Sequence, residues 1–196
     1  MGKEQRSPII QKEQSPDLFG ELLGMGDLLA DIQEKKRAVN PLIISVTGRS
    51  GSGKSGVISA EVKHAFPEET IVFRLDDYSK GNSFVLATNA AGGNINWDHP
   101  DYIDFPLFGQ HLAVLKQNQS IQKPIFDFKS GERSARTELL NPKPIIIVEG
   151  IHSHHTVVQQ FADIRVFVVA SAESALARRL HRDVQRTTMT EEEIAH

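Results

Sequence analysis

Glycines at 48, 51 and 53 lead directly into Lys54 and Ser55, and these residue types at this spacing suit the holding of a phosphate chain. The run Gly48-Arg49-Ser50-Gly51-Ser52-Gly53-Lys54-Ser55 fits G-x-x-x-x-G-K-[ST] at every fixed position. Glycines let a backbone curl with its N–H groups turned inward, Lys54 can reach the outer phosphates, and Ser55 can offer its hydroxyl to Mg²⁺. The nucleotide-binding set is therefore Gly48, Ser50, Gly51, Ser52, Gly53, Lys54, Ser55 and Gly56. A Gly/Ser surface loop is the plainer alternative. The apolar run Leu42 to Val46 before the loop and the helix-compatible segment after it are the context in which this motif cradles a nucleoside triphosphate.

Phosphoryl transfer also needs a carboxylate to orient or deprotonate the attacking hydroxyl, and a group to help hold Mg²⁺. Asp76-Asp77 close the run from Ile71 to Leu75, and Glu149 closes Ile145 to Val148. Asp76 is the candidate base. Glu149 with Ser55 is the candidate holder of Mg²⁺ or its waters. A solvated turn or helix cap would also account for Asp76-Asp77, whereas an acid directly behind four apolar strand residues is an unusual place for a purely structural charge.

Arg178, Arg182 and Arg186 recur every four residues and share one side of a helix. They are either a cationic lid over phosphates or a solvated face paired with Glu173 and Asp183. His152, His154 and His155 crowd four positions, but their spacing matches no zinc pattern and no cysteine completes one. Trp97 reads as an anchor for its loop.

Such groups act together only if the fold carries them to one place. Leu42 to Val46 and Ile145 to Val148 have the predominantly apolar, non-alternating character of parallel strands buried on both faces, and Ile71 to Leu75 and Ile164 to Ala170 read as further strands of the same sheet. Helical spacing runs from the phosphate loop to Phe66, again from Phe105 to Leu115, and again from Glu173 to Arg186. Ile121 to Phe128 followed by Ser130-Gly131 predicts a strand and turn of a small hairpin. The polar stretch 83–96 predicts a loop. Strands alternating with helices behind a phosphate loop predict an α/β fold of the P-loop NTPase kind, a three-layer α/β/α sandwich with a mostly parallel sheet. Ligands bind at the carboxyl edge of such sheets, where these acids fall.

Residues 1–40 form an arm ahead of that domain, which is expected over 41–196. Met1 to Gln14 is polar and predicts a loosely attached tail. Ser15-Pro16-Asp17 predicts a helix start, with Leu18, Leu22, Leu29 and Ile32 leading to the basic end Lys35-Lys36-Arg37.

A chain of 196 residues with 39% hydrophobic content fits one α/β domain plus accessory segments. A net charge of −3 disfavours nucleic acid and acidic membrane as partners, since both call for a clearly basic face. The absence of cysteine excludes disulfides and thiol catalysis. No apolar run has the length of a membrane span, so the expected setting is cytoplasmic.

Several blocks, taken together, resemble the uridine kinase family within the uridine kinase and phosphoribulokinase group of phosphate-loop kinases. They are the phosphate loop, Leu75-Asp76-Asp77-Tyr78, Asn96-Trp97-Asp98-His99-Pro100-Asp101, Pro124-Ile125-Phe126-Asp127-Phe128, Val148-Glu149-Gly150-Ile151 and Arg178-Arg179-Leu180-His181-Arg182-Asp183. The resemblance implies ATP as donor, Mg²⁺, and Asp76 as the base acting on a sugar 5′-hydroxyl. It likewise implies Asp98 as the carboxylate meeting the ribose hydroxyls, Phe126 and Arg179 on the substrate side, and Arg182 near the phosphates. A homo-oligomer is implied in the same way.

This chain departs from the family at several of these positions. Phe126 stands where tyrosine is common, Gly131 where a base-contacting histidine is common, and Ser79 where a second aromatic is usual. After Asp183 the chain reads Val184-Gln185-Arg186 in place of an Arg-Gly-Arg run, and the family continues past the lid into a further helix and strand.

Catalysis thus falls to Asp76 and Lys54, in ATP-dependent phosphorylation of a small-molecule hydroxyl, foremost the 5′-hydroxyl of a ribonucleoside. The alternatives are a non-nucleoside acceptor such as pantothenate or a sugar phosphate, and an ATP-binding regulatory protein without turnover. A GTPase switch is disfavoured, because the D-x-x-G at Asp17 to Gly20 precedes the phosphate loop and no N-K-x-D follows it.

Overall fold

The computed structural model describes residues 9–12 and 21–187. Its centre is a six-stranded sheet of β1 (Ile9–Lys12), β2 (Glu21–Leu23), β3 (Leu42–Thr47), β4 (Thr70–Arg74), β7 (Ile145–Glu149) and β8 (Ile164–Val169), in the order β2-β1-β8-β3-β7-β4. The strands β4, β7, β3 and β8 run parallel, while β1 joins β8 and β2 joins β1 antiparallel. A separate antiparallel hairpin consists of β5 (Ile121–Asp127) and β6 (Glu132–Leu140).

Alternation along the central strands divides the core in two, as a sheet covered on both faces requires. Ile43 of β3 and Ile146 and Val148 of β7 face a cluster with Phe73, Tyr78, Phe108 and Leu112. Their neighbours Leu42, Ile44, Val46, Ile145 and Ile147 face the opposite cluster, with Leu28, Ile32, Ile58 and Val62. Helix α4 (Phe105–Lys116) covers the first face. On the second lie α1 (Met25–Lys35), a π-helical turn (Lys54–Ser59) and α2 (Ala60–Ala65). The Phe73 and Phe108 rings stack with centroids 4.5 Å apart, and the Tyr78 ring meets Phe108 edge-on at 4.8 Å.

Three expectations change. Residues 9–12, expected in a loose tail, form a strand against β8. The arm helix starts at Met25, behind Gly24, and buries Leu28 and Ile32 one turn apart. The proposed start at Ser15-Pro16-Asp17 lies outside the described residues, and Leu22 belongs to β2. The stretch 83–96 holds α3 (Asn82–Ala90), which buries only Val85 and so keeps the polar sequence of a loop. The short α5 (Thr156–Gln159) and the long α6 (Ala172–Arg186) are the remaining α-helices among the described residues.

Candidate active site

The phosphate loop joins β3 to the π-helical turn, with Gly48, Gly51 and Gly53 at φ of 141°, 76° and 108°. Gly51 sits under α6 so closely that a methyl group there would overlap the Ala175 carbonyl oxygen. Only glycine combines that φ with that approach. Lys54 donates from Nζ to the carbonyls of Gly48 at 2.7 Å and Arg49 at 2.9 Å, which folds it back over the loop. Burial pushes its pKa down to about 8 against the opposing pull of Asp76, with Arg182 lowering it further and Glu149 and Asp98 raising it. The buried Ser52 Oγ has no hydrogen-bond partner among the described residues. A triphosphate oxygen would satisfy it, so the loop's donors fit the group its motif calls for.

Glu149, at the end of β7, is 4% exposed, and three donors satisfy it. Ser55 Oγ donates at 2.9 Å, Ser59 Oγ at 2.6 Å and Arg74 Nε at 3.0 Å. A hydroxyl and a carboxylate oxygen converge here, hard ligands of the kind Mg²⁺ takes together with phosphate oxygens and water. Among the described residues no group of three or more His, Asp or Glu could cage a metal by itself. Ser59 and Arg74 were not singled out in the sequence. Ser59 was within reach, being one helical turn after Ser55, whereas nothing local marks Arg74.

Asp76 opens the 3-10 turn Leu75–Tyr78 after β4. Its carboxylate makes no hydrogen bond or ion pair among the described residues. Desolvation raises its pKa above the ordinary aspartate range, opposed by Arg186, Arg182 and Lys54. Asp77 is different in kind, for its Oδ2 accepts from Lys123 Nζ at 2.9 Å. Asp98 lies across from α6, with Arg179 Nη1 3.5 Å from its Oδ2. His152 donates from Nε2 to the Asp98 carbonyl at 2.8 Å, and His155 stacks on Phe105 with centroids 3.8 Å apart. Trp97 stays half exposed and anchors through its indole N–H to Asn82 Oδ1 at 2.7 Å.

The arginines of α6 divide their work along the helix. Arg178 Nη1 approaches the Ser52 carbonyl at 3.5 Å, and Arg182 Nη2 donates to Ser50 Oγ at 2.9 Å. Arg186 lies over the Phe128 ring, 3.7 Å from its centroid. Phe126 meets Phe128 edge-on at 5.2 Å and Tyr102 at 6.4 Å. Gly131 has φ of 68°, a conformation that strains any side chain, and a Cβ there would displace the Asn82 amide. Gly56 faces open space. A cavity of about 380 Å³, lined by Thr47, Gly48, Arg49, Phe167, Val168 and Ala170, opens beside the loop.

A phosphate loop at the carboxyl edge of this sheet, with strand-end acids beside it, places the molecule among the phosphate-loop kinases. A model of the phosphoribulokinase / uridine kinase family matches residues 43–196, and the chain belongs to that family. It is 38% identical over 146 residues to a uridine kinase of Chlamydia pneumoniae, covering 74% of this chain and 64% of the relative. It is 34% identical over 152 residues to a uridine kinase of Alkaliphilus metalliredigens, covering 76% and 72%. Among solved structures, D-glycerate 3-kinase from Cryptococcus neoformans var. grubii superposes with a TM-score of 0.60 at 16% identity. That superposition covers 88% of this chain and 84% of the other, and it speaks to the fold alone.

Proposed function

We propose that this chain transfers the γ-phosphoryl group of ATP to a small-molecule hydroxyl, the 5′-hydroxyl of a ribonucleoside. The observation that carries the reading is Asp76, an unpaired carboxylate with raised proton affinity that shares its electrostatic surroundings with Lys54, Glu149 and Arg182. The loop amides, Ser52 and Lys54 hold the triphosphate, and the apolar cavity beside Thr47 and Phe167 seats the adenine. Ser55 and Glu149 hold Mg²⁺, which when bound neutralises phosphate charge. Asp98 accepts from the ribose hydroxyls in place of its ion pair with Arg179, and Phe126 lines the acceptor side. Asp76 takes the proton of the attacking hydroxyl, while Arg182, next to the loop at Ser50, meets the charge on the transferring group.

A second reading keeps this chemistry and changes the acceptor. Gly131 carries no base-contacting side chain and Phe126 offers no hydroxyl, which favours a base other than a pyrimidine or an acceptor that is not a nucleoside. The test is transfer from MgATP across uridine, cytidine, adenosine, guanosine, pantothenate and ribulose 5-phosphate, with Asp76→Asn alongside. Turnover of a ribonucleoside that the variant loses while still binding ATP is expected. Turnover confined to the last two acceptors selects the second reading, and normal turnover by Asp76→Asn removes Asp76 as base.

A further inference from the structure

The β5–β6 hairpin reaches the base-bearing turn through two cations that have no part in the chemistry above. Lys123 rises from β5 with 8% of its surface exposed. Its Nζ lies 2.9 Å from Asp77 Oδ2 and 3.0 Å from Glu138 Oε2 on the neighbouring strand. Arg133, from β6, donates from Nη2 to the Tyr78 carbonyl at 2.8 Å and from Nε to the Ser79 carbonyl at 3.2 Å. Its Nη1 pairs with Asp104 Oδ2 at 3.1 Å. The hairpin thus grips residues 77, 78 and 79 in succession. Asp76, one residue before, has a carboxylate that nothing described holds, so the direction it points is inherited from the backbone of its turn.

We propose that Lys123, supported by Arg133, is a positioning residue for Asp76, fixing the turn Leu75–Tyr78 so that the carboxylate meets the attacking hydroxyl. The proposal rests on the reading of Asp76 as the base. A buried ammonium is costly to desolvate and persists here because two carboxylates satisfy it. Burial works against its charge, and the hydrogen bonds and charges of Asp77 and Glu138 outweigh that and hold its pKa above the ordinary value. An apolar side chain would fill the same volume without that cost, but it could not tether Asp77. The hairpin also carries Phe126 and Phe128, so the element that meets the acceptor also aims the base. A misplacement of about 1 Å in such a constellation costs on the order of 10²-fold in rate.

The test compares Lys123→Met, Lys123→Arg and Asp76→Asn in the full chain, with MgATP and the fastest acceptor of the panel above. It reads kcat, the KM for each substrate, the pH profile and the thermal midpoint. Lys123→Met is expected to lower kcat about 10- to 100-fold with the KM for ATP unchanged, and Lys123→Arg to recover most of the loss. The acid midpoint of the profile stays put, because Lys123 is not among the charges that shift Asp76. A folded Lys123→Met protein with the parent kcat overturns the proposal, as does a loss confined to the thermal midpoint. Should Lys123→Met not fold, Asp77→Asn removes the charged partner at nearly constant shape and is read by the same split, with unchanged kcat again overturning it. An active Asp76→Asn, or silence across the panel, removes the base reading and the clamp with it. An inactive Asp76→Asn beside a fully active Lys123→Met removes the clamp alone.

Discussion

Between pH 7 and pH 9 the number of protons taken up when ATP binds should change several-fold, and Lys54 sets that number. Burial holds its pKa at about 8 in the free protein, so about one lysine in ten is neutral at pH 7, half at pH 8 and nine in ten at pH 9. A phosphate oxygen at about 4 Å contributes roughly 4 kcal/mol at an effective dielectric of about 20, near three pK units, which returns the bound lysine to its charged form throughout this range. Uptake on binding is therefore about 0.1 proton per ATP at pH 7, about 0.5 at pH 8 and about 0.9 at pH 9. Calorimetry of MgATP binding in buffers of differing ionisation enthalpy measures this directly, with Lys54→Met as the control in which the rising component disappears. Uptake that stays flat from pH 7 to pH 9, or that persists in Lys54→Met, would refute the assignment of a desolvated ammonium to this loop.

Two further outcomes follow from the site. The raised proton affinity of Asp76 places the acid limb of kcat/KM above the ordinary aspartate value near 3.9, since the base works only when ionised and a raised pKa loses it sooner as pH falls; a profile flat down to about pH 4 would contradict this. Gly51→Ala forces a side chain into a left-handed position against the Ala175 carbonyl, so denaturant unfolding should show a loss of about 2 kcal/mol or more together with weaker ATP binding, and an unchanged midpoint would show that α6 does not rest on the loop.

The parts of this molecule that were readable from sequence are those whose signal is local. An uninterrupted apolar strand followed at once by an acid marks Glu149, because burial on both faces and a polar carboxyl edge are written into adjacent residues; Asp76 ends a short apolar run that only Arg74 breaks. The hairpin was legible as far as its first strand and turn for the same reason. Helix α3 was not, since its punctuation by Gly81, Asn82, Gly92 and Gly93 sits at its ends while its body touches the core only through Val85. Strand β1 was hidden by its shortness. The roles of Asp77 and Lys123 depend on a contact between residues 46 apart, and no window along the chain reveals such a partner.

The strand β1 pairs Ile9 with Val169, so the first described element closes onto the last strand of the sheet. A ribosome therefore emits β1 long before β8 exists. Closing so large a loop carries an entropic cost that grows with the logarithm of its length, and contacts of this separation slow folding. Residues 9–12 can pair with β2 early, but their other edge waits until β8 has been made and laid beside β3, and their docking is the step that covers the open edge of β8. A fusion placed ahead of residue 9 would have to follow that strand onto the finished sheet, whereas the phosphate loop can assemble without it.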